Sequence, residues 1–333
     1  MKVGVVGVGV ICSTHVDGLR AIDGIEVAGL HDVDGDALDR VSAKLNVPAF
    51  QDFEALLAAV DAVHLCVPSG LHADLGVAAA EAGTHVLVEK PIDVDVAAAE
   101  RLVDTCRRSG VALTVVSQHR FAPGVRKAHD LIESGGLGRL LQAHGTTVWY
   151  RTQDYYNSGA WRGTMALDGG CLMNQGVHYV DLLQWLAGGV KAVWGCCRTA
   201  NHDIEAEDIG IAMLEFRNGA VGAFLGSTVA QPGFAETLEF FGDQGSVRIA
   251  SDRIVSQHPP SPAAETEAND TATGATDPSA IWGYLHQVQF EDFYRAIAEK
   301  RDPAITGEAA LEPVRIIRAI YQSSADNGRR VEL

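Results

Sequence analysis

Short apolar runs rich in β-branched residues alternate with alanine-rich stretches through the first third of the chain. The runs Lys2–Val6, Ile25–His31, Ala62–Val67, His85–Glu89 and Ala112–Ser117 have the length and composition of buried strands. Between them, residues 10–22, 35–45, 71–82 and 94–109 carry a helical period. Strand-length apolar runs separated by helices are the signature of βαβ units, so this region predicts a parallel sheet in an α/β domain.

The pattern changes after Arg120. A helix near 122–134 closes on Gly135 and Gly136, followed by a long strand, Leu140–Tyr150, a polar aromatic segment and a helix near 172–187. From Val190 to Ile249 strand follows strand, with turn signals at Arg217-Asn218-Gly219 and Gly242-Asp243-Gln244-Gly245. Successive strands without crossover helices predict a large, open, mostly antiparallel sheet and hence an α+β domain. Residues 259–280 hold four prolines and four acids and no basic residue, the composition of a mobile surface loop. Helices near 282–299 and 307–325 end the chain. The expected domains are 1–120 and 121–333.

Composition sets the class of protein. A length of 333 residues suits two domains at about 150 residues each, and 47% hydrophobic against 21% charged residues is an ordinary globular balance. Acidic residues number 43 and basic residues 26, a net charge of −17, which repels nucleic-acid phosphates and anionic lipid. The six cysteines form no C-x-x-C pair, which points to buried thiols in a reducing, cytoplasmic setting. No apolar run reaches the roughly 18 residues of a membrane span. The start, Met1-Lys2 and the apolar residues after it, imitates a signal peptide, but Gly4, Gly7, Gly9 and Asp17 are wrong for one. Twelve histidines invite a metal, yet none has ligand spacing with a carboxylate or cysteine partner, and no G-x-S-x-G elbow appears. Neither a metal site nor a hydrolase is expected.

The chemistry starts at Gly7-Val8-Gly9-Val10-Ile11-Cys12, which follows the first strand and opens the first helix. Gly7 permits a tight turn and Gly9 a close approach of backbone to a pyrophosphate at the helix N-terminus; Cys12 stands where Gly or Ala is usual. Asp32 ends the second strand, placed to bind the adenosine ribose diol. A carboxylate there repels a 2′-phosphate, so NAD is expected rather than NADP. The other reading of Asp32 is a solvated helix cap.

Further motifs carry a resemblance. Gly7-x-Gly9 with His15, Val67-Pro68-Ser69-x-x-His72, Gly83-Thr84-His85-Val86-Leu87-Val88-Glu89-Lys90-Pro91 and Gln118-His119-Arg120-Phe121-x-Pro123 occur in order. Trp161-Arg162-Gly163, Asp168-Gly169-Gly170, Asn174-Gln175-Gly176-Val177-His178-Tyr179-Val180-Asp181 and Ala319-Ile320-Tyr321-Gln322-Ser323 follow. Together they resemble the Gfo/Idh/MocA oxidoreductases over nearly the whole chain. The Asn174-Gln175 form is similar to the branch that oxidises C3 of UDP-linked N-acetylglucosamine or its uronic acid.

The resemblance implies a Rossmann domain that binds NAD and a C-terminal α+β domain that binds substrate and forms a homodimer or homotetramer. It implies cofactor contacts at Gly7, Gly9, Val10, Ile11, Asp32, Val67, Pro68, Ser69, His72, Glu89, Lys90, Gln118, Trp161 and Arg162. Lys90, one of only six lysines, ends a strand at the edge where open α/β sheets bind ligands, and its ammonium can stabilise a developing alkoxide. His178 has the titration range for taking the hydroxyl proton. Asn174 and Asp181 lie at spacings that share one helix face with it; Asp181 either orients the imidazole or is a plain helix-face carboxylate. Arg120, Arg151, Tyr155 and Tyr156 complete the expected substrate set, and Trp161 and Arg162 fit it too, with arginines for phosphate or carboxylate and aromatics for a sugar or uracil ring. The same side chains also suit an oligomer contact. Alternatives are an inositol or free-pyranose dehydrogenase, a keto-sugar reductase, and a non-catalytic NAD-binding sensor.

Overall fold

The computed structural model describes residues 1–260, 275 and 283–333. The expected loop at 259–280 lies almost wholly outside the described residues. The chain divides into two compact units, Met1–Gln118 with Ile281–Leu311 and His119–Ala280 with Glu312–Leu333.

In the first unit β1 (Lys2–Val6), α1 (Cys12–Arg20), β2 (Glu26–His31), α2 (Gly35–Leu45), α3 (Phe53–Leu57) and β3 (Ala62–Leu65) come first. Then follow α4 (His72–Glu81), β4 (His85–Val88), α5 (Val96–Ser109) and β5 (Leu113–Val115). The sheet is parallel, in the order β2-β1-β3-β4-β5. Asp34, Asp52 and Asp95 accept the N-terminal amides of α2, α3 and α5, which fixes where those helices start.

The second unit holds α6 (Pro123–Glu133), β6 (Leu140–Val148), α7 (Gln153–Asn157) and α8 (Val177–Ala187), the last preceded by a π-helical turn, Leu172–Gly176. The strands β7 (Val190–Arg198), β8 (Ile209–Phe216), β9 (Val221–Ser227), β10 (Thr237–Gly242), β11 (Ser246–Ala250) and β12 (Arg253–His258) follow. The chain ends in α9 (Gly283–Glu299), α10 (Gly307–Ala325) and β13 (Val331–Glu332). The sheet order is β12-β11-β10-β6-β9-β8-β7-β13, antiparallel except where β6 pairs β9. The apolar α8 packs against β6 and β10.

The expected division at residue 120 misses the return of the chain to the first unit. Phe290, Phe293 and Tyr294 of α9 sit in one apolar cluster with Val16, Leu19, Val5 and Leu87. Burying each phenylalanine contributes roughly 2 kcal/mol, enough to hold α9 against α1. Among the described residues no helix is long and apolar enough to cross a membrane.

Candidate active site

In the first unit the chain leaves β1 through Gly7, at φ +94°, where a Cβ would lie 2.4 Å from the Cys66 carbonyl oxygen. Only glycine fits there. A Cβ on Gly9 would meet no protein atom within 4 Å, so the fold does not demand glycine at that position. Close approach of a ligand to the backbone does. The helix it opens, α1, has no side-chain cap, unlike α2, α3 and α5, leaving its first amides for an anion. Val10 is exposed and Ile11 half-buried on this turn, while Cys12 is buried. Asp32 accepts the Val8 N–H at 2.8 Å and the Asp34 N–H at 2.9 Å, so the carboxylate also ties down the glycine loop.

Val67, Pro68 and Ser69 follow β3, with Val67 and Pro68 half-buried and Ser69 buried. His72 differs from its expected role. It is fully buried, and its ring nitrogens face the Pro91 carbonyl at 2.7 Å and the Val67 carbonyl at 3.0 Å. It is a strut between two loops rather than a cofactor contact, and burial pushes it below the usual histidine range. Lys90 is half-buried at the end of β4, its peptide to Pro91 is cis, and its N–H donates to Glu89 Oε2 at 3.2 Å. Gln118 is buried, and its Oε1 has no hydrogen-bond partner among the described residues. A buried amide oxygen left so is costly and fits a donor brought by a ligand. These features fit NAD: an uncapped helix start, a glycine with room beside it, an acid for the ribose and an orphan acceptor.

In the second unit, between Cys171 and Gln184, only Asn174 and His178 are not buried. The π turn and α8 thus present these two on one face; π turns are frequent at functional sites. Asn174 Nδ2 donates to Asp168, a buried carboxylate that also accepts the Gly163 N–H at 2.7 Å. That bond fixes the amide, turning its nitrogen toward Asp168. Asp181 does not orient His178. Both its oxygens are held by Arg120, Nε at 2.8 Å and Nη2 at 2.5 Å, in a buried pair. Arg120 is thus committed to Asp181 through Nε and Nη2, and removing one partner of such a pair costs about 3–5 kcal/mol.

His119, for which no sequence motif signals a role, lies beside His178 with ring centroids 4.7 Å apart. Its Nδ1 faces Asp252 Oδ2 at 2.5 Å. Asp252 stands in the β11–β12 turn at φ +65°, and no motif around it signals such a contact.

The expected substrate residues divide. Tyr156 is buried, its hydroxyl on Thr228 Oγ1 at 2.8 Å, so it is a packing residue. Tyr155 lies between two guanidiniums, Arg162 at 4.3 Å and Arg151 at 5.3 Å from its ring centre. Its hydroxyl accepts from Arg162 Nη1 at 2.7 Å and Gln175 Nε2 at 3.3 Å, and burial pushes it above the usual tyrosine range. Arg162 also stacks on Trp161 at 4.4 Å and forms no ion pair with a carboxylate among the described residues. Trp161 and Arg162, expected both at the cofactor and with Arg151 and Tyr155 around the substrate, lie in this cluster. Arg151 is anchored through Nη1 on the Tyr150 and Ala275 carbonyls.

Glu207 stands in no sequence motif. It is buried, accepts the Leu172 N–H at 2.9 Å and the Tyr321 hydroxyl at 3.0 Å, and so anchors the start of the π turn. A Cβ on Gly170 would lie 1.7 Å from its Oε2. Burial outweighs these donors and pushes the carboxyl up to about 7.

Residues 1–117 match the oxidoreductase family described by an NAD-binding Rossmann fold, and residues 125–248 match the GFO/IDH/MocA C-terminal domain. The WlbA dehydrogenase of Bordetella pertussis, crystallised with NADH and UDP-GlcNAcA, is 31% identical with a TM-score of 0.91, covering 100% of this chain and 97% of that one. D-xylose 1-dehydrogenase (NADP(+)) 2 of Haloferax volcanii is 30% identical over 313 residues, 92% of each chain. UDP-N-acetylglucosamine 3-dehydrogenase of Acidithiobacillus ferrooxidans is 27% identical over 335 residues, 97% of this chain and 96% of the relative. With both regions matched in order and identity of this degree along nearly all its length, the chain belongs to the Gfo/Idh/MocA oxidoreductases, and its first domain is an NAD-binding Rossmann fold.

Proposed function

We propose that the protein oxidises a secondary hydroxyl, at C3, of a UDP-linked N-acetylated amino sugar or its uronic acid. The observation that carries the anionic part of this reading is the convergence of Arg151 and Arg162 on Tyr155. A neutral polyol has no use for two guanidiniums around one ring, whereas a diphosphate or carboxylate does. The likeness to WlbA, crystallised with UDP-GlcNAcA, supports the same substrate class.

Bound NAD supplies the hydride acceptor. Lys90 donates a hydrogen bond to the reacting hydroxyl oxygen and stabilises the negative charge that grows there as hydride leaves. His178 takes the hydroxyl proton. Asn174 accepts from a neighbouring substrate hydroxyl through Oδ1, since Nδ2 is given to Asp168. Asp32, with both oxygens receiving backbone N–H groups, favours NAD over NADP.

A second copy of the chain is proposed as partner. Ile211, Met213, Leu141 and Phe241 on β8, β6 and β10 are exposed apolar strand residues, and an apolar sheet face of this kind calls for cover.

The test is a substrate panel with NAD, following NADH absorbance. UDP-GlcNAc and its uronate are expected to react. A response from myo-inositol and none from any UDP-sugar would overturn the reading.

A further inference from the structure

The first unit contains a buried hydrogen-bonded chain that no step above uses. Tyr294 Oη lies 2.6 Å from His64 Nε2. His64 Nδ1 lies 2.8 Å from His15 Nδ1, and His15 Nε2 lies 2.9 Å from Glu89 Oε1. His15 and His64 are fully buried, and Tyr294 is 5% exposed. His286 Nε2 stands 3.8 Å from the same Glu89 oxygen. The links join α1, β3, β4 and α9, and Tyr294 is 230 residues from His64.

With Glu89 ionised, one arrangement satisfies every link using neutral rings. Tyr294 donates to His64 Nε2, His64 Nδ1–H donates to His15 Nδ1, and His15 Nε2–H donates to Glu89. A carboxylate only accepts, and a neutral imidazole has one donor and one acceptor, so ionised Glu89 sets the direction of the whole chain. Reversing it needs one more proton, carried on Glu89. Burial alone pushes the Glu89 carboxyl up, but the His15 hydrogen bond with His286 and Lys90 more than offsets it and holds Glu89 well below the usual range. Burial, with His15 and His286 beside it, pushes His64 below the histidine range, in keeping with a neutral ring. The titratable groups facing Glu89 are thus His15 from α1, Cys66 after β3, His72 from α4, His286 from α9 and the adjoining Lys90.

We infer that Tyr294, His64 and His15 are positioning residues whose one-way hydrogen-bond chain holds Glu89 as a permanent anion at the carboxyl edge of the sheet, where it favours the cationic, oxidised nicotinamide over the neutral, reduced one. The inference rests on the assignment of Glu89 to the cofactor side of the Rossmann domain. Glu89 keeps 10% side-chain exposure while its His15 partner has none, so it is the member of the chain nearest solvent and ligand. A fixed charge in a site of low dielectric acts on a neighbouring charge far more strongly than in water. Its effect is to bind NAD⁺ more tightly relative to NADH, and so to draw product NADH off the enzyme.

Two measurements test it on the full-length protein. Nitrogen NMR of the histidine rings without cofactor should show His15 carrying its proton at Nε2 and His64 at Nδ1. His15 carrying its proton at Nδ1 alone, or two ring protons, would overturn the chain. The ratio of NADH to NAD⁺ dissociation constants, by calorimetry, should fall about tenfold in Glu89→Gln, through weaker NAD⁺ binding. Gln keeps an acceptor for His15, so the fold is retained while the charge is lost. Tyr294→Phe, which keeps Glu89 but removes the donor to His64 Nε2, should move the ratio the same way by less and leave the His64 proton on Nδ1. Equal weakening of both cofactor forms in Glu89→Gln, or no change in the ratio, would refute the inference. Binding is read without any sugar, so failure of the proposed substrate leaves this test intact.

Discussion

Glu207 gives a prediction whose size follows from its surroundings. Its carboxyl is buried beneath Gly170 and is pushed to about 7 in the folded protein, against about 4.3 in an unfolded chain. A carboxyl whose folded pKa is raised contributes stability below the unfolded value. That contribution is lost as pH rises from about 4.3 to about 7 and is constant above. At 1.36 kcal/mol per pH unit the whole loss is about 4 kcal/mol, of which about 3 kcal/mol falls between pH 5 and 8. Glu207→Gln keeps acceptors for the Leu172 N–H and Tyr321 hydroxyl but does not ionise. Urea unfolding of the two proteins at pH 5, 6, 7 and 8 reads the difference, in which other titrations cancel. The native protein should lose about 3 kcal/mol more than the variant between pH 5 and 8. Parallel stability curves would refute the reasoning.

Other consequences are as direct. Asp32→Ala should raise the KM for NAD roughly tenfold and reduce discrimination against NADP, read by steady-state kinetics with both cofactors. It should also lower the melting temperature, because Asp32 binds the Val8 and Asp34 amides. Asn174→Asp puts a second carboxylate against Asp168; turnover should fall at pH 8 by about tenfold or more and recover as pH is lowered and the pair takes up a proton. An unchanged pH profile would show that Asp168 does not govern Asn174. Lys90→Met and His178→Gln should each lower kcat by about a hundredfold or more with NAD binding retained; wild-type rates would remove them from the chemistry.

What the sequence reveals depends on range. The strands and helices of the Rossmann part are legible because each carries its period within a few residues, and Lys2–Val6 and Gly35–Leu45 agree to the residue. Asp32 and Lys90 are legible because a motif fixes their place at strand ends. The return of α9 to the first unit is not, since an amphipathic helix does not state which core it covers. Nor is the Arg120–Asp181 pair: helical spacing puts Asp181 near His178, but a guanidinium 61 residues away claims both oxygens. Asp252, Glu207 and the His64–Tyr294 contact escape for the same reason, being made by folding rather than by local pattern. The π turn at Leu172–Gly176 hides within an apolar stretch that reads simply as helix.

In the proposed reaction hydride leaves C3 of a UDP-linked sugar. UDP-N-acetylglucosamine uronate, or UDP-N-acetylglucosamine itself, deuterated at C3 tests it when incubated with the protein and NAD and the NADH examined by mass spectrometry. NADH heavier by one mass unit is expected from the reacting sugar; unlabelled NADH formed at an undiminished rate would place the oxidation elsewhere.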